Sequence, residues 1–191
     1  MVDTLRWGGT IRKIWPTESK KFRDHLMRLD AQSRRLRFGN AVSDDFISRY
    51  ASQITLDKGI VFAFIIDGEI RSAAELRKLG VRWDDEAEAA FSVETEYQNQ
   101  GVGTELMSYI IRSARNRGVE RLWMSCLAEN MKMRALARKH NASLAFTSGD
   151  VFGEITATSP DIFSITSEAL DDRIGFVLAA MDINRSFRST V

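Results

Sequence analysis

Seven consecutive residues, Gln98-Asn99-Gln100-Gly101-Val102-Gly103-Thr104, concentrate more chemistry than any other stretch of this sequence. Ala87, Ala89, Phe91 and Val93 alternate just before them and predict a strand, while Leu106, Met107, Ile110, Ile111 and Ala114 follow at helical spacing. A strand, a glycine-containing turn and a helix together make an anion site. The turn exposes backbone N–H groups, and the first helical turn adds donors that have no partner of their own. Gly101 and Gly103 carry no Cβ, so a bulky phosphate can approach the main chain, and Thr104 offers a hydroxyl. The loop lacks the lysine of a Gly-x-x-x-x-Gly-Lys-Ser/Thr phosphate loop, and Leu106 stands where a dinucleotide fingerprint needs its third glycine. The plain alternative is an ordinary glycine turn ahead of a core helix.

The order Gln98-x-x-Gly101-x-Gly103 resembles the pyrophosphate loop of the GNAT superfamily of N-acetyltransferases, which holds coenzyme A. The run 119–127 reads as a buried strand, and Asn130-Met131-Lys132-Met133 resembles the start of that family's later helix. In the family an asparagine opens this helix near the cofactor, with a small or apolar residue three positions on, here Asn130 and Met133. The likeness spans about residues 10–147 and is most specific over 87–139. It implies an α+β fold of three layers, a mixed but mostly antiparallel central sheet flanked by helices. The division expected is a GNAT domain over 1–159 and, packed on the same domain, a C-terminal helical extension over 160–191. A shorter likeness, at Ser33-Arg34-Arg35-Leu36-Arg37-Phe38, is to bacterial protein lysine acetyltransferase domains, where this segment lies near the acceptor groove.

The resemblance implies direct acetyl transfer from acetyl-CoA to a primary amine, a protein lysine or a small molecule, without a covalent enzyme intermediate. An alkylammonium with a pKa of about 10.4 must lose a proton before it can attack. Glu88 matches the position where many members place their general base, and Glu86 and Glu94 share its strand face. A solvated strand carboxylate is the alternative for Glu88. The family's pattern also assigns the backbone N–H groups of Phe91, Ser92 and Val93 to the pantetheine arm and the thioester carbonyl. Many members protonate the departing thiolate with a tyrosine seven positions after the asparagine; here that position is Ala137. The second function class is therefore a non-catalytic acyl-CoA-binding module for sensing or assembly.

Composition sets outer bounds. A length of 191 residues, 44% apolar and 28% charged, suits one globular domain. A net charge of +1 argues against a broad nucleic-acid surface. The lone Cys126 excludes an internal disulfide and reads as a small apolar strand residue, and His25 and His140 are too isolated to suggest a metal site. No apolar run reaches the length of a membrane span, and the start lacks a signal-peptide core, so the cytoplasm is expected.

Along the chain, 10–15 alternates as a first strand, and Thr17 is the expected cap of a helix to about Leu29 with Phe22, Leu26 and Leu29 inward. The arginine-rich 33–38 segment reads as a solvated connector anchored by Leu36 and Phe38, or as an attractor of acidic groups. Ser43 caps a second helix to about Ile54. Strands at 59–66 and 69–79 flank an Asp67-Gly68 hairpin turn, and Trp83 either lines a groove or caps a sheet edge. Asn141 replaces a glycine at the turn into a last hairpin of strands 143–146 and 151–156. Ile162, Ile165, Ala169, Ile174, Val177, Leu178 and Met181 predict one long or two short amphipathic helices, packed on the domain or serving as a homodimer contact or lid.

Overall fold

The computed structural model describes residues 8–54, 58–156 and 159–188, with side chains to Asp182. Seven strands form one sheet: β1 (Thr10–Lys13), β2 (Gly59–Ile66), β3 (Glu69–Lys78), β4 (Glu86–Val93), β5 (Arg121–Leu127), β6 (Ser143–Thr147) and β7 (Asp150–Thr156). Their order is β1-β2-β3-β4-β5-β7-β6, antiparallel throughout except for the β4–β5 pair. The helices are α1 (Ser19–Arg28), α2 (Ala31–Phe38), α3 (Asp44–Gln53), α4 (Val102–Arg115), α5 (Met131–Lys139) and α6 (Ile162–Arg188).

Strand alternation sends side chains to opposite faces, and each face has its own core. Val61, Ala63, Ile65 and Ala73 meet Phe22 and Leu26 of α1 and Ile47 and Ala51 of α3. Phe62, Phe64, Leu76, Ala87 and Ala89 meet Leu106, Met107 and Ile110 of α4. Burying each of the larger side chains contributes roughly 1.5–3 kcal/mol. The β2–β3 hairpin turns on Asp67 and Gly68, both at positive φ (51° and 78°), as the Asp-Gly pair predicts. Asn141 takes φ 59°, so asparagine does serve in place of glycine there.

Four expectations change. Thr17 does not cap α1: a 3-10 turn, Pro16–Glu18, precedes it, and Glu18 turns inward to a buried ion pair with Arg12 at 2.7 Å. Residues 33–38 are no connector. They belong to α2, which Asp30 caps by accepting the Ser33 N–H. Strand β5 is only partly buried, because Arg121 and Ser125 face solvent. The 162–188 segment is a single helix, one of the two forms expected, but its inward face is polar over its first half, with buried Ala179 further on. Ser164, Glu168 and Asp171 are buried, whereas Phe163, Leu170 and Val177 are exposed. Glu168 binds Ser113, Asn116 and Arg117, and Asp171 binds Arg112, so charge rather than oil holds α6 to α4.

Candidate functional site

Strands β4 and β5 pair only at Glu86–Arg121, Ala87–Leu122 and Glu88–Trp123. Beyond Glu88 they part, and the N-termini of α4 and α5 stand at the opening. A parallel pair joined through a helix leaves such a crevice beyond the carboxyl ends of its strands. A cavity of about 920 Å³ fills it, walled by β4, the 98–104 loop, α5 and α2.

The predicted site residues divide cleanly. Phe91, Ser92 and Val93 of β4 line the cavity, as do Gln98, Asn99 and Gly101 of the loop. Val102, Gly103 and Thr104 of α4 join them, with Asn130 and Met133 across the opening. Two expected residues lie off the wall. Gln100 turns back to donate to the Glu96 carbonyl at 2.6 Å. Glu88 pairs with Arg77 of β3 at 3.2 Å, at the point where β5 leaves β4. Of its rivals, Glu86 pairs with Arg121, and Glu94 is held by His25, Arg28 and Arg71. Trp83 packs against the α4 face of the sheet beneath Arg117, away from the cavity.

The loop owes its shape to two left-handed residues, Asn99 (φ 60°) and Gly101 (φ 92°). The α4 ladder opens with the Thr104 N–H on the Gly101 carbonyl, so the Val102 and Gly103 N–H groups stand ahead of it. A Cβ on Gly103 would meet only Leu136, at 3.8 Å. The protein itself therefore does not demand glycine at this position, and the bareness there serves the cavity. Gln98 braces the loop from below: its amide donates to the Val93 carbonyl at 2.9 Å and to Ser33 of α2 at 3.3 Å. Asn130 caps α5 by accepting the Met133 N–H at 3.0 Å, the role its position suggested.

Sequence reading missed three parts of this wall. Lys132 donates to the Gln98 side chain, and Lys139 lies 3.4 Å from Thr104 Oγ1, so two ammonium groups flank the 98–104 loop. Their seven-residue spacing on one helix face was the available signal. The second part is the helical form of 33–38, a segment whose likeness already put it near an acceptor groove: α2 contributes Ser33, Leu36 and Arg37 to the wall, with its cap Asp30. Thr95 first, then the Ser33 N–H, hold the Asp30 carboxyl at about 2, well below its ordinary value. Arg37 is buried against the Tyr50 hydroxyl at 2.6 Å and against Glu75. Burial would lower its pKa, but Glu75 and Tyr50 outweigh that and raise it. The third part is a buried chain from Ser92 to His25 to Glu94, at 2.9 and 3.0 Å.

Among the described residues no group of three His, Cys, Asp or Glu side chains could hold a metal ion. Cys126 is half-buried, and burial pushes its thiol pKa up, which disfavours a thiolate. No described helix is long and apolar enough to cross a membrane. The donors around the loop, backbone N–H groups at a helix start with two nearby lysines, suit a phosphate ester.

Solved structures share this fold. The GNAT domain of a Streptomyces lividans PAT superposes with a TM-score of 0.70 at 24% identity, covering 82% of this chain and 96% of that one. A cAMP-binding acyltransferase from Mycobacterium smegmatis gives a TM-score of 0.59 at 22% identity, covering 96% of this chain but 53% of its own. A ribosomal alpha-N-protein acetyltransferase in complex with coenzyme A gives 0.56 at 12% identity, covering 78% of this chain and 94% of that chain. All lie below 25% identity and speak for the fold. The Acetyltransferase (GNAT) family model matches residues 24–142, well over half of the sequence, and with it the loop, α4, β5 and α5, so the chain belongs to the GNAT family of acetyltransferases.

Proposed function

We propose that this protein is an acetyl-CoA-dependent N-acetyltransferase that acts on a primary amine, a protein lysine or a small molecule. The observation that carries this reading is the single cavity running from the 98–104 loop, past the parting of β4 and β5, to α2. One end suits a pyrophosphate and the other is open to an acceptor. When bound, acetyl-CoA supplies the activated acetyl group. The N–H groups at Val102 and Gly103, with Lys132 and Lys139, hold its phosphates. Phe91, Ser92 and Val93 lie on β4 beyond the last residue paired with β5, where the N–H groups that point away from β3 would orient the pantetheine arm. Glu88 takes a proton from the acceptor ammonium through a water, and Arg77 holds its carboxylate in place meanwhile.

Gly103→Glu tests the reading. A side chain fits there without disturbing the fold, and its carboxylate would stand where the phosphates bind. Calorimetry should show coenzyme A binding lost while circular dichroism stays native. Unchanged affinity removes the loop from the site. Coenzyme A binding by the wild type without amine-dependent release of free thiol would instead identify a sensing module.

A further inference from the structure

Ser92 shares the face of β4 that looks toward α1, and it is also part of the cavity wall. Its Oγ lies 2.9 Å from His25 Nε2, and His25 Nδ1 lies 3.0 Å from Glu94 Oε1. His25 is fully buried. Burial would raise the Glu94 pKa, but the His25 hydrogen bond and Arg28 lower it, so Glu94 is a carboxylate that only accepts. Nδ1 therefore carries the imidazole proton, and Nε2 is left to accept from the serine. The Ser92 proton is thus committed inward, and the lone pairs of Oγ remain for a donor in the cavity. Burial first, then Arg28, hold the His25 pKa below its ordinary value, against the pull of Glu94 and Glu75. Arg71 of β3 also faces this group, through Glu94. The resting imidazole is neutral, with its Nε2 lone pair toward Ser92, and a proton that it receives is readily returned.

We propose that Ser92 and His25 form a proton shuttle in the cavity wall, which takes one proton from the attacking nitrogen once it has bonded to the acyl carbon and returns it to the departing thiolate. This rests on the acetyltransferase reading and supplies an acid in place of the tyrosine that the family carries seven positions after the asparagine, where this chain has Ala137 on α5. Glu88 takes the first ammonium proton through a water and passes it to solvent, and the free amine nitrogen bonds to the acyl carbon. The nitrogen, now cationic, gives its second proton to Ser92 Oγ as Ser92 passes its own to His25 Nε2, leaving an imidazolium beside Glu94, and the carbon–sulfur bond breaks. Ser92 then hands a proton to sulfur as His25 Nε2 restores the hydroxyl. The sum is ammonium plus thioester to amide, thiol and one released proton. Ser92 is the catalytic residue of this pair, and His25, acting through it, a positioning and storage residue.

Two measurements decide it. The chain has two histidines, so His140→Asn leaves His25 as the single imidazole in nitrogen-15 spectra. At pH 7 the neutral Nδ1–H tautomer is expected, with the Nε2 resonance moving in Ser92→Ala. An Nε2–H tautomer or a resting imidazolium overturns the shuttle. In kinetics, Ser92→Ala should lower kcat about 100-fold with coenzyme A affinity unchanged by calorimetry, and Ser92→Thr, which keeps the hydroxyl, should restore most of it. An alanine variant with wild-type kcat overturns the shuttle while leaving the acetyltransferase reading intact. A loss that threonine fails to rescue also overturns it, since Ser92 would then be a packing tie. A wild type inactive on every amine overturns the acetyltransferase reading itself.

Discussion

Arg37 and Glu75 form an ion pair buried between α2 and β3, with the Tyr50 hydroxyl bonded to both. It fixes the helix that walls the α2 side of the cavity to the centre of the sheet. Removing one member leaves the other charged and uncompensated. Arg37→Ala should therefore cost about 3–5 kcal/mol of stability by urea denaturation. A loss under about 1 kcal/mol would mean that α2 is not anchored this way in solution.

Lys132 and Lys139 should matter to the anion and little to the chemistry. Replacing both with alanine should weaken coenzyme A binding on the order of tenfold, since each is partly solvated. Calorimetry at rising salt should narrow the gap between wild type and variant, because screening weakens exposed charge pairs. A gap that does not change with salt would assign the loss to packing instead.

Glu88→Gln preserves shape and removes basicity. It should lower kcat by roughly 10²- to 10⁴-fold with little change in coenzyme A affinity. Raising the pH should restore part of the rate, because more of the amine then arrives neutral. Wild-type kcat in this variant from about pH 6 to about pH 9 would pass the role to Glu86 or to the Ser92–His25 pair.

Stability should fall in two steps as the solution is acidified. Burial lowers the pKa of His25 and of His140 from 6.5, with Lys139 assisting at His140. Below pH 6.5 the unfolded chain binds protons that the folded one refuses, so stability is lost as pH falls toward the folded values. Burial would raise Glu18, Glu94 and Glu168, but Arg12, His25 and Arg117 respectively outweigh it and hold them low. Their contribution is present above 4.5 and disappears as pH falls through the folded values. Thermal melts from pH 8 to pH 3 should show both steps, and His140→Asn should shrink the first without abolishing it.

Deletion after Ser159 strips Arg117 of Glu168 and Arg112 of Asp171, and uncovers Ser113. The melting temperature should fall by at least about 5 °C. Light scattering of the full chain tests the outward stripe of Phe163, Leu170 and Val177 as a homodimer contact: a dimer that the deletion turns into a monomer is expected, and a full-length monomer excludes it.

Much of the site was legible because its signals are local. Asp67-Gly68, Asn141, the Ser43 and Asn130 caps and the turn at Gly101 each satisfy a backbone demand within a few residues, so residue type alone announces them. The alternation of Ala87, Ala89 and Phe91 marked which β4 face meets α4, since strand side chains repeat every second position. Partners far apart in the chain were decided only by the fold. His25 meets Ser92 across 67 positions, and Arg37 meets Glu75 across 38. Those meetings depend on strand register and on where α1 and α2 land on the sheet, which no local pattern encodes. The arginines of 33–38 looked solvated because charge usually is, yet Arg37 is buried where Glu75 and Tyr50 compensate it. In α6 the apolar stripe predicted an inward face, but Arg12 of β1, Arg112 of α4 and Arg117 just beyond α4 bind its acidic side chains, and that turned its polar face inward.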